Sequence, residues 1–292
     1  MSDKKRLALI CEDPANLFDM ARNEDRNLLQ ALNAAGWDAV TKDWKDSETD
    51  WTDFDLVILK SPYDYHNRLD EFRVWLNKLS VTGVRLLNPV QTVLWNADKH
   101  YLREIAAAGF DIIPSVFLEK DTVTDLATLF DRLGADKIIV KPCISGGSKN
   151  TFTLTKGENS LDEHPLNTLL PKEAFIAQPF MKEIHEGEWS MLFFGGEYSH
   201  TIVKKPKQGD FRVQPQYGAT ILAVTPETAV IEKATALVRR FATGALYTRV
   251  DGVLADGKLL LMELELIEPL LYTVFDENSF DRYIAALDKV YK

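Results

Sequence analysis

The sequence predicts an α/β protein that opens with a parallel sheet covered by helices and continues into antiparallel, hairpin-built sheets. Three features carry this. Strand-length apolar runs alternate with amphipathic helical segments as far as Pro89, the strands lengthen beyond Phe175, and two long alternating strands near the C-terminus carry acids. Strands that alternate with helices need crossover connections, which set them parallel and bury both faces of the sheet. Strands joined by short glycine turns run antiparallel.

The first strand is Leu7 to Cys11. A helix follows with Leu28, Leu29, Leu32 and Ala35 on one face and Gly36 as its C-terminal cap. Trp37 to Val40 and Leu56 to Leu59 are the next strands, separated by an acidic loop. Leu69, Phe72, Leu76 and Leu79 recur at helical spacing, and Val84 to Leu87 closes the unit before Asn88-Pro89. The rhythm then changes. Ile112 to Leu118, Ile138 to Lys141 and Thr151 to Leu154 read as strands around a helix from Asp125 to Leu133. Glu188 to Phe194, a Gly195-Gly196 turn and Glu197 to Lys204 form a hairpin. A helix from Glu227 to Phe241 precedes the strands Leu246 to Leu254 and Lys258 to Leu266, and a helix from Phe280 to Val290 ends the chain.

The 292 residues suffice for two or three structural units. With 44 acidic and 34 basic residues, the formal charge is −10. That balance speaks against nucleic acid or an anionic membrane as partner, because clustered Lys and Arg hold both. No segment approaches the roughly 18 apolar residues of a membrane span. Leu7 to Ile10 is too short for the core of a signal peptide. Cys11 and Cys143 lie far apart with no C-x-x-C partner, which fits a reducing, cytoplasmic location. The histidines show no metal spacing and there is no G-x-S-x-G, so neither a zinc centre nor a catalytic Ser or Cys is expected.

Chemistry concentrates in four stretches. Lys141 ends an apolar strand and is followed by Ser145-Gly146-Gly147-Ser148. A cation fixed at a strand end beside amides that can close over an anion is a phosphate grip, although such a lysine alone also fits a solvated loop. Lys99, near the start of a helix with Leu102 and Ile105, is a second candidate cation. The strand exit at Gln178, Pro179, Phe180 and Met181 offers an apolar slot and backbone groups suited to a purine, with Glu188 in reach of a ribose.

The fourth stretch is Y-T-R-V-D-G-V-L-A-D-G-K-L-L-L-M-E-L-E-L-I-E-P. Side chains alternate along a strand, so Arg249 and Asp251 share a face, as do Glu263 and Glu265. Leu260, Met262, Leu264 and Leu266 fall on the face opposite those acids, and Leu259 and Leu261 on the same face. Carboxylates gathered with an arginine on adjacent strands suit Mg²⁺. This requires a three-residue loop, Ala255-Asp256-Gly257, which pairs Arg249 with Glu263 and Asp251 with Leu261. Gly257 suits its left-handed last position.

These residues, in this order, resemble the ATP-grasp superfamily over essentially the whole chain, particularly its bacterial glutathione synthetase and peptide-ligase branch. S-P-Y-D-Y-H-N-R and V-K-K-P-K-Q-G-D-F-R-V-Q-P-Q-Y-G also resemble the cyclo-ligases that form D-cycloserine from O-ureido-D-serine. The resemblance implies an α/β ATP-grasp fold with an N-terminal parallel-sheet domain (1–112), a small central lid (113–177) and a C-terminal antiparallel-sheet domain (178–292). It implies an ATP-dependent carboxylate–amine ligase acting through an acyl phosphate on small amino-acid-like carboxylate and amine substrates, with Mg²⁺ (or Mn²⁺). An intramolecular cyclo-ligase, an ATP-grasp phosphotransferase and a non-catalytic nucleotide-binding protein remain as alternatives, and homo-oligomerisation stays open.

By position, Lys99 and Lys141 would hold ATP phosphates under the loop Ser145, Gly146, Gly147 and Ser148. Gln178, Phe180 and Met181 would surround adenine, Glu188 would meet the ribose, and Asp251, Glu263 and Glu265 would hold the metal. Arg249 would face the transferring phosphoryl group, and Arg212 the acceptor carboxylate or acyl phosphate. Many ATP-grasp ligases have Asn where Glu265 stands and then Ser-Pro-Gly. Here the run is Glu265-Leu266-Ile267-Glu268-Pro269-Leu270. Tyr63, Asp64, Tyr65 and His66 follow a strand's C-terminal end and are candidates for the acceptor pocket.

Overall fold

The structure, a computed structural model, describes residues 5–122, 125–157 and 164–292. Its N-terminal sheet is parallel in the order β2-β1-β3-β4, formed by β1 (Arg6–Cys11), β2 (Asp38–Lys42), β3 (Leu56–Ser61) and β4 (Arg85–Leu87). The helices α1 (Asp19–Ala34) and α2 (Leu69–Thr82) bury Leu28 and Leu32, and Phe72, Leu76 and Leu79, against it. Every β3 residue is buried, as expected of a strand covered on both faces.

The central sheet is antiparallel in the order β5-β8-β6-β7, with β5 (Val116–Leu118), β6 (Lys137–Pro142), β7 (Phe152–Thr155) and β8 (Phe175–Pro179), and the helices α5 (Ala127–Leu133) and α6 (Leu166–Leu169) pack with it. The third sheet, also antiparallel, runs β11-β10-β9-β12-β13 through β9 (Glu188–Phe194), β10 (Glu197–Lys205), β11 (Thr220–Val224), β12 (Tyr247–Ala255) and β13 (Lys258–Glu265). The helix α7 (Thr228–Phe241) packs on one of its faces and α8 (Ser279–Tyr291) on the other side of the unit. None of the described helices is long and apolar enough to cross a membrane.

Several expectations need correction. Ile112 to Leu118 is not one strand: Ile112 bridges Leu261 of β13, and only Val116–Leu118 joins the central sheet. The helices α3 (Val90–Asn96) and α4 (Tyr101–Ala107) fill the connection out of the first sheet, and α3 and the edge strand β11 were not anticipated. The α3 segment matters because it joins the first and third sheets. The Asn96 amide donates to the Leu264 carbonyl at 2.6 Å and accepts from the Leu266 N–H at 2.9 Å. Asn88 likewise donates to the carbonyls of Tyr247 and Leu266 and accepts from the Leu246 N–H at 2.7 Å. Buried amides that satisfy both their donor and their acceptor leave little freedom between the bodies they join.

The largest correction concerns the β12–β13 hairpin. Its turn has two residues, Asp256 and Gly257, both left-handed, because Ala255 pairs with Lys258. A bulge at Met262 then shifts the register, so Asp251 pairs with Glu263 and Arg249 with Glu265. The extra residue also divides the leucines differently. Leu259, Leu261, Leu264 and Leu266 bury together on the α7 side, whereas Leu260 and Met262 turn to the opposite side with Phe180 and Met181.

Candidate active site

One cavity of about 410 Å³ lies where the three sheets meet. All the residues singled out from sequence for nucleotide, metal and catalysis line it: Lys99, Lys141, Ser145 to Ser148, Gln178, Phe180, Met181, Glu188, Arg212, Arg249, Asp251, Glu263 and Glu265. Its volume suits a small-molecule site.

The floor is one face of the third sheet. Ser190 of β9 stands opposite Asp251 of β12, which stands opposite Glu263 of β13. Ser190 Oγ donates to Asp251 at 2.5 Å, and the Arg249 guanidinium holds the same carboxylate with contacts of 2.8 to 3.0 Å. Arg249 also reaches Glu265 and donates to the Leu270 carbonyl at 3.0 Å. The Glu188 and Lys204 side chains pair, and Lys204 Nζ lies 3.8 Å from Asp251.

Both candidate phosphate lysines converge on one acid. Lys141 Nζ donates to Glu263 Oε1 at 2.7 Å, and Lys99 Nζ lies 3.9 Å from the same oxygen. Lys99 also reaches the Ser145 carbonyl at 3.3 Å, which ties the glycine loop to the site. Burial would raise the Glu263 carboxyl, yet Lys141 and Lys99 hold it down at about 2. Burial pushes Glu265 well above the usual carboxylate range, with Asp251, Glu263 and Glu268 adding to it against Arg249. Crowded, buried oxygen donors of this kind are the ligand set a hard divalent cation accepts, so the residues fit Mg²⁺.

The apolar slot beside the floor is built from Phe180, Met181, Ile184, Val213 and Met262. Gln178, almost wholly buried, donates to Ser115 Oγ at 3.0 Å at its edge. At the other end, the loop after β3 contributes Tyr63, Tyr65 and His66. Asp64 instead turns away to the Trp44 indole N–H, 3.0 Å distant, and to Lys45.

Two further differences stand out. The cations that flank Arg212 in the sequence are split in space. Lys204 is buried in the floor, Lys205 is exposed, and Arg212 is held by Asp210 and lies 3.9 Å over the Tyr217 ring. Sequence reasoning also missed Lys204, Ser190, Glu268 and Tyr272 as cavity-facing groups or their immediate supports. Pairing of Lys204 with Glu188 across the hairpin was one signal, and a bulge at Ser199 hides it by moving Lys204 from its unbulged position.

Fold and site together define an ATP-grasp enzyme, and the chain belongs to that family: it is an ATP-dependent carboxylate–amine ligase that forms C–N bonds. "Prokaryotic glutathione synthetase, ATP-grasp domain" matches residues 105–253, and "D-cycloserine synthetase DcsG, N-terminal domain" matches residues 7–88. The chain is 30% identical over 284 residues to the cycloserine biosynthesis protein DcsG of Streptomyces lavendulae, covering 89% of this chain and 91% of that protein. A crystal structure of the D-cycloserine synthetase DcsG superposes with a TM-score of 0.83 at 28% identity, covering 98% of this chain and 100% of the other. The D-alanine–D-alanine ligase of Bacillus anthracis complexed with ATP shares the fold, with a TM-score of 0.75 at 15% identity, covering 98% and 97% of the two chains. ATP-grasp enzymes use ATP with Mg²⁺.

Proposed function

We propose that this ligase transfers the γ-phosphoryl group of ATP to a small carboxylate and that an amine then displaces phosphate from the acyl phosphate. The observation that carries this reading is the convergence of Lys99 and Lys141 on Glu263 inside a cavity that also holds the apolar slot. A nucleotide with its base against Phe180 and Met181 and its ribose toward Glu188 would present phosphates to those lysines. The amides of Ser145 to Ser148 would close over them.

Glu263 and Glu265, with Asp251, would hold Mg²⁺ or Mn²⁺, which neutralises phosphate charge when bound. Arg249, fixed by Asp251 and the Leu270 carbonyl, would face the transferring group, and a pre-set donor of this kind stabilises charge without reorganising. Arg212 would release Asp210 to meet the acyl phosphate, to which its planar fork is suited. Closure of 113–177 as a lid over 178–292, with 1–112 on the acceptor side, would exclude water from the intermediate. A cytoplasmic location with ample ATP suits this chemistry.

An ¹⁸O label on the substrate carboxylate must then appear in released phosphate, and Arg212→Ala should slow that transfer more than it weakens ATP binding. Product formed with unlabelled phosphate would refute the route. A second reading, intramolecular ring closure, is favoured by the similarity to DcsG along nearly the whole chain. It predicts ADP release from O-ureido-D-serine with no separate amine added.

A further inference from the structure

Among the described residues, the acids that face the cavity have side-chain partners, with one exception. Asp251 is held by Arg249 and Ser190, Glu263 by Lys141, Glu265 by Arg249, and Glu188 by Lys204. Glu12, at the far end, accepts from the Asn16 amide at 3.0 Å. Glu268 lines the same cavity from the segment just after β13, and no other described side chain hydrogen-bonds to it or forms an ion pair with it. Desolvation pushes its carboxyl up to about 7 and Glu263 adds to the shift, while Lys99, Arg249 and a hydrogen bond from its own backbone N–H oppose it.

The neighbouring wall carries two polar atoms that the described residues leave without partners. The Tyr63 hydroxyl and His66 Nδ1 are both buried and unpaired. Glu268 is near enough to Tyr63 to add to the burial that raises its phenol. Buried polar groups left unpaired by a folded chain call for an explanation, and in a ligand cavity a ligand supplies it. The partner suited to a half-buried cavity carboxylate that no side chain engages is a cation that donates hydrogen bonds. The protein's own candidates, Lys99 and Arg249, are committed to Glu263 and Ser145, and to Asp251 and Glu265.

We propose that Glu268 is a specificity-determining residue that receives the ammonium group of the amino-acid substrate, beside the Tyr63 hydroxyl and His66. The inference rests on the ligase reading above and extends it. The run Ile267-Glu268-Pro269 sets a carboxylate on the cavity wall close to Tyr63. A substrate lacking the ammonium would leave that carboxylate desolvated without a cationic partner, so the site rejects it more strongly than a loss of contact area would explain.

The test is a calorimetric titration of the full chain, saturated with Mg²⁺ and a non-hydrolysable ATP analogue. The probes are D-alanine against propionate, L-glutamate against glutarate, and O-ureido-D-serine against its des-amino acid. At least one ammonium-bearing probe should bind tighter than its counterpart by about tenfold or more. Glu268→Gln should erase that preference without weakening the nucleotide, and Glu268→Asp, which keeps the charge, should restore part of it. The proposal is overturned if the wild-type protein prefers no ammonium-bearing probe. It is equally overturned if Glu268→Gln keeps the preference, or if the loss falls on Mg²⁺ affinity alone. Failure of the ligase reading looks different: the wild-type protein would then not bind the nucleotide analogue at all.

Discussion

Gly252 passes so close to Leu260 across the β12–β13 hairpin that a Cβ on it would lie 2.4 Å from the Leu260 carbonyl oxygen. The contact adjoins the Met262 bulge, which sets Asp251 opposite Glu263. Only a residue without a side chain admits so close an approach of the partner backbone. Gly252→Ala should therefore part the strands and cost about 1–3 kcal/mol, read by urea denaturation. Because the acids move with the strands, ADP production should fall by roughly a hundredfold. A variant with normal turnover would show that this approach is not needed to align the site.

Glu263 supplies a pH test. Its folded-state carboxyl sits at about 2, below the ordinary value of 4.5, with Lys141 and Lys99 outweighing the effect of burial. A depressed carboxylate adds stability that is complete above the ordinary value and is lost as pH falls toward the folded one. In Lys141→Met, burial is opposed less, so Glu263 should titrate upward in a ¹³C carboxyl NMR series, and ATP should bind more weakly. An unchanged titration would separate the two residues energetically.

Glu265→Asn removes one of the two carboxylates that Arg249 contacts and one of the three metal candidates. Mg²⁺ affinity should fall by at least roughly tenfold while some ligase activity persists, because Asp251 and Glu263 remain. Mg²⁺ titration of ADP release measures both. Unaltered Mg²⁺ dependence would remove Glu265 from the metal set.

The glycine loop docks on the N-terminal unit. A Cβ at Gly146 would lie 3.1 Å from the His66 ring, and Lys149 Nζ donates to Asn67 Oδ1 at 2.6 Å. Gly146→Ala should raise the KM for ATP several-fold by holding the loop off His66, with a stability change within about 0.5 kcal/mol because the loop is superficial. Steady-state kinetics and a thermal melt check the two halves separately.

The sequence by itself determined the kinds of element and the chemistry each could carry. Apolar periodicity placed β1, β3, α2, β6, β9 and α7 because burying a stripe or a face leaves a period that can be read from one chain. Alternation put Arg249 with Asp251 and Glu263 with Glu265, and the strand end beside glycines marked Lys141. Tertiary structure alone decided which of these groups meet. A bulge adds one residue and reverses the facing of everything beyond it, yet leaves the composition of the strand unchanged. So the periodicity around Leu260 and Met262 pointed to the wrong face, and convergence of Asp251 with Glu263 came through Met262 rather than a longer turn. The lysine partners of Glu263 come from β6 and the turn before α4, far apart in the chain, and no local pattern can state such a pairing. Glu268 was visible as a residue but not as one without a side-chain partner, because that is a property of everything packed around it.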